Sequence, residues 1–220
     1  MAIRTSDAIV LKRIPLGDTS LLVTVYAREL GKIKLVARGA RRPKTKMGPV
    51  LQPFCLVSVT FNHRENKELQ TLSKVEPGPF FKNIGEDLNR VGYASAVCEL
   101  VNKLVLGEEP GDSLFALIIR TLQAIDHLPA ESCEVLFWRF QLEFAEIYGT
   151  GPEFGTCMGC GISPEETSVR FSPGLGGILC RECQVQDSEA MQLSLGTTRL
   201  LTRVRQMPLE YLPRLKPVKT

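Results

Sequence analysis

Four cysteines, Cys157, Cys160, Cys180 and Cys183, stand as two C-x-x-C pairs nineteen residues apart. Two residues between the thiols of a pair let both sulfurs reach one ion, and four soft sulfur ligands in a tetrahedral array select Zn²⁺ or an iron of the rubredoxin kind. A sphere closed by four thiolates leaves no position for a reacting water, so the expected role of one zinc here is structural. Gly159 and Gly161 permit a tight turn at the first pair, and Ser163-Pro164-Glu165-Glu166 predicts a capped helical turn between the pairs. Redox chemistry of the C-x-x-C pairs is the alternative.

The chain offers little else that could catalyse. Nucleobase deaminases join P-C-x-x-C to an H-x-E motif, but His63-Arg64-Glu65 lies far upstream and alone. Gly174-Leu175-Gly176-Gly177 lacks the Lys-Ser/Thr of a phosphate loop and reads as a turn beside Cys180. There is no Walker motif, no H-E-x-x-H and no G-x-S-x-G, and only two histidines. No catalytic residue is assigned, and the chain is not expected to be an enzyme.

A second cluster has different chemistry. Arg38, Arg41, Arg42, Lys44 and Lys46 place five cations within nine residues, with Gly39 and Pro43 holding the backbone out of regular structure. Lys12, Arg13, Lys32 and Lys34 could extend the patch from neighbouring strands. Residues 1–75 carry 14 Lys/Arg against 5 Asp/Glu, and the remainder carries 13 against 19. Such a basic block fits a polyanion, with a merely solvated surface as the plainer reading. The only aromatics in the block are Tyr26, Phe54 and Phe61. Binding should therefore lean on phosphates rather than on base stacking, be salt-sensitive and sequence-tolerant, and accept single and double strands.

These clusters need a scaffold. Short alternating segments predict strands at Ala8–Ile14, Leu21–Ala27, Lys32–Ala37, Phe54–Asn62 and Glu68–Lys74, with turns at Gly17-Asp18 and Glu29-Leu30-Gly31. Five short strands with a basic loop after the third suit a small barrel of the OB type, an SH3-like barrel being the rival. Pro77-Gly78-Pro79 marks a domain boundary, since neither helix nor strand passes easily through it. Beyond it the period becomes helical. Asn83 and Glu86 form a capping-box signal before a helix from Leu88 to Val105. Further helices are predicted at 112–126, at 130–148, apolar nearly all round and hence central, and at 194–206. Cys55, Cys98 and Cys133 lie in apolar sequence and read as core. The Pro-rich tail from Tyr211 is read as unstructured.

The expected class is thus α+β, with a five-stranded barrel over 1–78, a helical domain over 79–154 and 188–220, and an inserted zinc module over 155–187. No signal peptide or membrane span is recognisable, so the expected location is cytoplasmic.

The order of these parts, with GKIKLVARGARRPKTK, FAEIYGTGPEFGTCMGCG and FSPGLGGILCREC, resembles the bacterial RecO family of recombination mediators over nearly the whole chain. The most specific pieces are Gly31-Lys32 followed by Ala37-Arg38-Gly39-Ala40-Arg41, Gly151-Pro152 before Cys157, and Gly176-Gly177 before Cys180. The resemblance implies an OB-fold that contacts DNA through Arg38, Arg41, Arg42, Lys44 and Lys46. It also implies strand annealing without nucleotide and a helical domain that receives the C-terminal tail of single-strand-binding protein. Cooperation with RecR, loading of RecA and association with the nucleoid follow as expectations. It implies further helix beyond Leu215, so this chain is expected to be a short member. An RNA-binding or translation-associated OB protein is the competing class, because these residues do not themselves read the sugar.

Overall fold

The computed structural model describes residues 2–64, 67–107, 111–165 and 168–215. Two compact units divide the chain, one ending at Cys133 and one starting at Glu134.

In the first unit, β1 (Ala2–Leu16), β2 (Ser20–Ala27), β3 (Gly31–Ala37), β4 (Leu56–His63) and β5 (Leu69–Pro77) close a barrel in the order β1-β2-β3-β5-β4. β1 is longer than its alternating stretch implies, because it serves two partners. Ala2–Ile9 pair with β4 and Ala8–Leu16 with β2, and a register shift between Val10 and Lys12 bends the strand from one to the other. β3 and β5 run parallel, which distinguishes this OB topology from the SH3-like rival.

Alternation fills the barrel. Val23, Val25, Leu35, Val59 and Phe61 are fully buried inside it. α1 (Met47–Val50) follows the basic loop, and Leu51 just beyond it is buried in the same core, with Met47 and Val50 packed against it. Ile9 and Leu11, on the opposite face of β1, are buried as well. α2 (Leu88–Leu104) packs against that strand, where the Cys98 thiol approaches the Val10 carbonyl at 3.8 Å. The helix therefore belongs to the same compact unit as the barrel.

The start of α2 differs from the capping-box expectation. Asp87 is the N-cap and accepts from the Arg90 amide at 2.9 Å, while Ile84–Glu86 form a separate 3-10 turn. Asn83 is drawn elsewhere by a buried carboxylate. Asp126, at the end of α3 (Asp112–His127), accepts from the amides of Asn83 at 2.7 Å and Ile84 at 3.0 Å.

Five of the largest fully buried side chains, Leu114, Leu117, Ile118, Leu122 and Ile125, lie on α3. α4 (Cys133–Ile147), expected to be the central helix, contributes Phe140 to that group. Its polar residues are the reason: Gln141 and Glu146 are exposed, and Arg139 and Glu143 form an ion pair along it.

The second unit holds a small sheet absent from the sequence reading. β6 (Ser168–Ser172) lies between β7 (Gly177–Leu179) and β8 (Met191–Ser194). The expected helical turn at Ser163 is missing among the described residues, Glu166 lying outside them. A single turn pays the nucleation cost of a helix without propagating, and this segment instead leads into β6. α5 (Leu195–Gln206) begins at Ser194, whose hydroxyl accepts from the Thr197 amide at 3.0 Å. The tail is more ordered than its prolines suggest: Leu209–Arg214 form a 3-10 turn that buries Leu212 completely.

Candidate nucleic-acid interface and metal centre

The basic loop is folded back on the barrel. Ala40 is buried at 2% exposure, and turns close from the Arg42 amide to Gly39 and from the Thr45 amide to Arg42. The Arg41 amide donates to Thr19 at 2.8 Å and its guanidinium to Gly17 at 3.1 Å, tying the loop to the β1–β2 turn. Arg13 donates to the Gly48 carbonyl at 3.2 Å. Gly39 and Lys44 take positive φ of 70° and 67°, which turns the chain sharply at both points.

This anchoring leaves the cations outside. Arg38, Arg41, Arg42, Lys44 and Lys46 are all exposed. The side chains of Arg38, Arg42, Lys44 and Lys46 make no hydrogen bond or ion pair among the described residues. Clustered, unmatched positive charge on an ordered loop raises the local potential felt by a polyanion.

The strand cations are placed differently. Lys32 lies at the far end of β3, about 17 Å along the strand from Ala37 at the usual strand rise, and donates to the Asn102 carbonyl at 2.8 Å near the end of α2. Burial, and next the charge of Lys34, lower its pKa. Lys34 pairs at the surface with Glu68. Lys12 is exposed opposite Thr24 on β2, which in turn faces Lys34 on β3. Arg13 is half-buried and braces the loop through Gly48. His63 packs edge-on to Phe61 within β4 at 6.3 Å, and Glu65 of its H-x-E lies outside the described residues.

The four cysteines meet although the pairs are distant in sequence. Their sulfurs all lie within 4.8 Å of one another, and those of Cys160 and Cys180 are 3.9 Å apart. Tetrahedral Zn–S bonds of about 2.3 Å put sulfurs roughly 3.8 Å apart, so the donor set could hold such an ion with little movement. Two knuckles build it. The Gly161 amide returns to the Cys157 carbonyl at 2.8 Å, and the Cys183 amide to the Cys180 carbonyl at 3.1 Å. A β-carbon on Gly159 would stand 2.8 Å from Cys183 Sγ, so the first glycine also lets the knuckles approach.

Charge points the same way. Burial pushes the Cys157 thiol up, but backbone N–H groups of Cys180, Cys160 and Gly159 outweigh it and bring it down to about 6. Cys183 is pushed up to about 12, first by its hydrogen bond with Cys180 and then by burial and the other thiols. One thiolate forms readily and the next is opposed, the imbalance that a divalent cation relieves.

Residues 1–80 match the family model for the N-terminal part of recombination protein O, and residues 85–219 match the one for its C-terminal part. The chain belongs to the RecO family. It is 34% identical over 206 residues to "DNA repair protein RecO" of Symbiobacterium thermophilum, covering 93% of this chain and 80% of that protein. The namesake from Desulforamulus reducens is 32% identical over 223 residues, covering 100% of this chain and 85% of that one. That of Anaeromyxobacter dehalogenans is 32% identical over 198 residues, covering 90% and 77%. Family membership makes this a DNA repair protein with an N-terminal OB-fold.

Within this RecO-family chain, the sequence reading missed the contacts that order the loop. Gly48 is one: a β-carbon there would stand 2.5 Å from the Ala40 carbonyl oxygen. A Met-Gly-Pro step after the cations was the available signal. No described helix is long and apolar enough to cross a membrane.

Proposed function

We propose that this chain is a non-catalytic mediator of recombinational repair that binds single- and double-stranded DNA and anneals complementary strands. On this reading it works with RecR, engages the C-terminal tail of single-strand-binding protein, and promotes RecA loading onto DNA which that protein coats. The observation that carries it is the ordered loop from Arg38 to Lys46 on the barrel of a repair-family chain, with four of its five cations unmatched. Annealing requires two like-charged backbones to come together, and such a loop lowers their repulsion with no covalent step. Lys12, Arg13, Lys32 and Lys34 would add to this field. The surface pair of Lys34 with Glu68 is the kind that a phosphate exchanges at small cost.

The ion assigned to Cys157, Cys160, Cys180 and Cys183 is one Zn²⁺. Four thiolates from two knuckles would give it a closed, structural sphere that joins segments twenty residues apart. The functional division is a DNA-binding barrel over 1–78, a helical domain over 79–154 and 188–220, and a zinc module over 155–187. The place of work is the cytoplasm, at the nucleoid.

The test is annealing of complementary strands coated by single-strand-binding protein, without nucleotide, with and without this chain. Acceleration that fades with salt supports the proposal. No acceleration, or a clear preference for RNA in competition with single-stranded DNA, overturns it.

A further inference from the structure

The charge balance of the chain has a third part. Residues 76–194 hold 7 Lys/Arg against 18 Asp/Glu, whereas residues 195–220 hold 6 against 1. A second basic block thus follows the acidic middle, and α5 opens it with Arg199, Arg203 and Arg205 and no acid.

Tertiary contacts sort these three arginines. Arg205 turns inward, donating to the Pro152 carbonyl at 3.0 Å and standing 3.5 Å from Glu146. The end of α5 is held from α4, where Arg139 donates to the Val204 carbonyl at 2.7 Å. Arg199 and Arg203 are exposed, and neither guanidinium has a hydrogen bond or carboxylate partner among the described residues. Four residues apart, they lie on one face of the helix, about 6 Å along its axis.

That face borders a groove of about 400 Å³ whose lining includes Phe154, Pro164, Leu195 and Gln206 besides the two arginines. The wall is fixed. Phe154 is buried and its ring packs on Phe171 at 5.8 Å. Among the described residues, no acidic side chain lines the groove.

We propose that the groove beside Arg199 and Arg203 is a second contact for the phosphodiester backbone of a nucleic-acid strand. The proposal rests on the DNA-binding reading above and extends it. Two guanidiniums on a rigid helix, spaced on the scale of successive phosphates, can each hold a phosphate in fork geometry. Phe154, Pro164 and Leu195 give the groove an apolar wall against which sugar can lie, Phe154 being only 6% exposed. With one such contact in each compact unit, the chain offers a backbone a second place to bind besides the loop.

The experiment is fluorescence anisotropy of a labelled oligothymidylate, titrated over salt, with four forms of the full chain: wild type, R41A/R42A/K44A, R199Q/R203Q, and both sets combined. Two lost contacts on a single strand should lower the log–log salt slope by about 1.4. The combined form should lose the sum of the two separate decreases. Arg199→Lys with Arg203→Lys, which keeps both charges, should retain most of the slope, and thermal melts should match wild type because both side chains are exposed. A wild-type slope in R199Q/R203Q overturns the inference, and the loop reading survives if R41A/R42A/K44A still loses slope. A loss in R199Q/R203Q alone supports the groove and overturns the loop. If R199Q/R203Q keeps its DNA slope but loses affinity for a labelled oligoglutamate peptide, the groove is a peptide site and the inference fails.

Discussion

A β-carbon on Gly48 would stand 2.5 Å from the carbonyl oxygen of Ala40. The first turn of α1 thus lies directly against the backbone of Ala40, the one residue that the basic loop buries. Gly48→Ala should displace one of them at a cost of about 1–3 kcal/mol, as overpacking does. The expected result is a lower melting temperature and weaker DNA binding with no charge removed. Gly85→Ala, where a β-carbon meets nothing within 4 Å, is the control and should leave binding unchanged.

Removing charge should read out differently. Arg41, Arg42 and Lys44 are exposed, so replacing all three by alanine should leave the barrel folded. The salt slope for single strands should fall by about 2, at about 0.7 per lost phosphate contact. A slope equal to wild type would place the DNA on another surface.

Metal binding should be visible in thiol chemistry. Burial pushes the Cys98 thiol up to about 12, and burial is also the main cause that raises Cys55 and Cys133. Since the thiolate is the reactive form, these three should react slowly near neutral pH. Native protein should hold one zinc by elemental analysis, and a chelator should expose the four module thiols, Cys157 with its lowered pKa reacting first. Cys160→Ser should lose the zinc and lower the melting temperature, with the loop's salt slope retained. A folded Cys160→Ser protein that had lost DNA affinity would give the metal centre a direct part in binding.

Asp126 holds the approach to α2. Asp126→Ala would strip the amides of Asn83 and Ile84 of their acceptor, at about 1–3 kcal/mol for each one left buried and unpaired. Denaturant titration should show the loss as a lower midpoint. Asp126→Asn keeps a carbonyl oxygen and should recover part of it.

Asp187 gives the sheet of the second unit an acid sensitivity. Its carboxylate accepts from Ser172 Oγ at 2.5 Å and from the Glu189 amide at 2.9 Å, and the Ser172 bond, followed by the amide, lowers its pKa. A depressed native pKa means the stabilisation is complete above the free aspartate value of about 3.9 and is lost as pH falls through the native value. Melting temperatures of wild type and Asp187→Asn should therefore differ at neutral pH and converge on acidification. Curves that stay parallel would show that the carboxylate's charge contributes nothing.

Much of this protein was legible in local pattern. Alternation set the barrel strands, helical spacing set α2 to α5, and the two C-x-x-C pairs marked the ligands, because each is a repeat of side-chain type over a few residues. The density of cations between β3 and β4 was equally plain. What local pattern could not carry was any choice among equivalent residues. Arg199, Arg203 and Arg205 are alike in sequence, and only the Pro152 carbonyl and Glu146 turn the third inward. Asn83 and Asp87 are both competent caps, and Asp126, some forty residues away, removes the first. Lys32 and Arg38 read as one patch until the end of α2 takes the ammonium of Lys32. Hydrogen bonds and burial between distant segments made each of these decisions, because a polar group goes to whichever partner folding brings within reach.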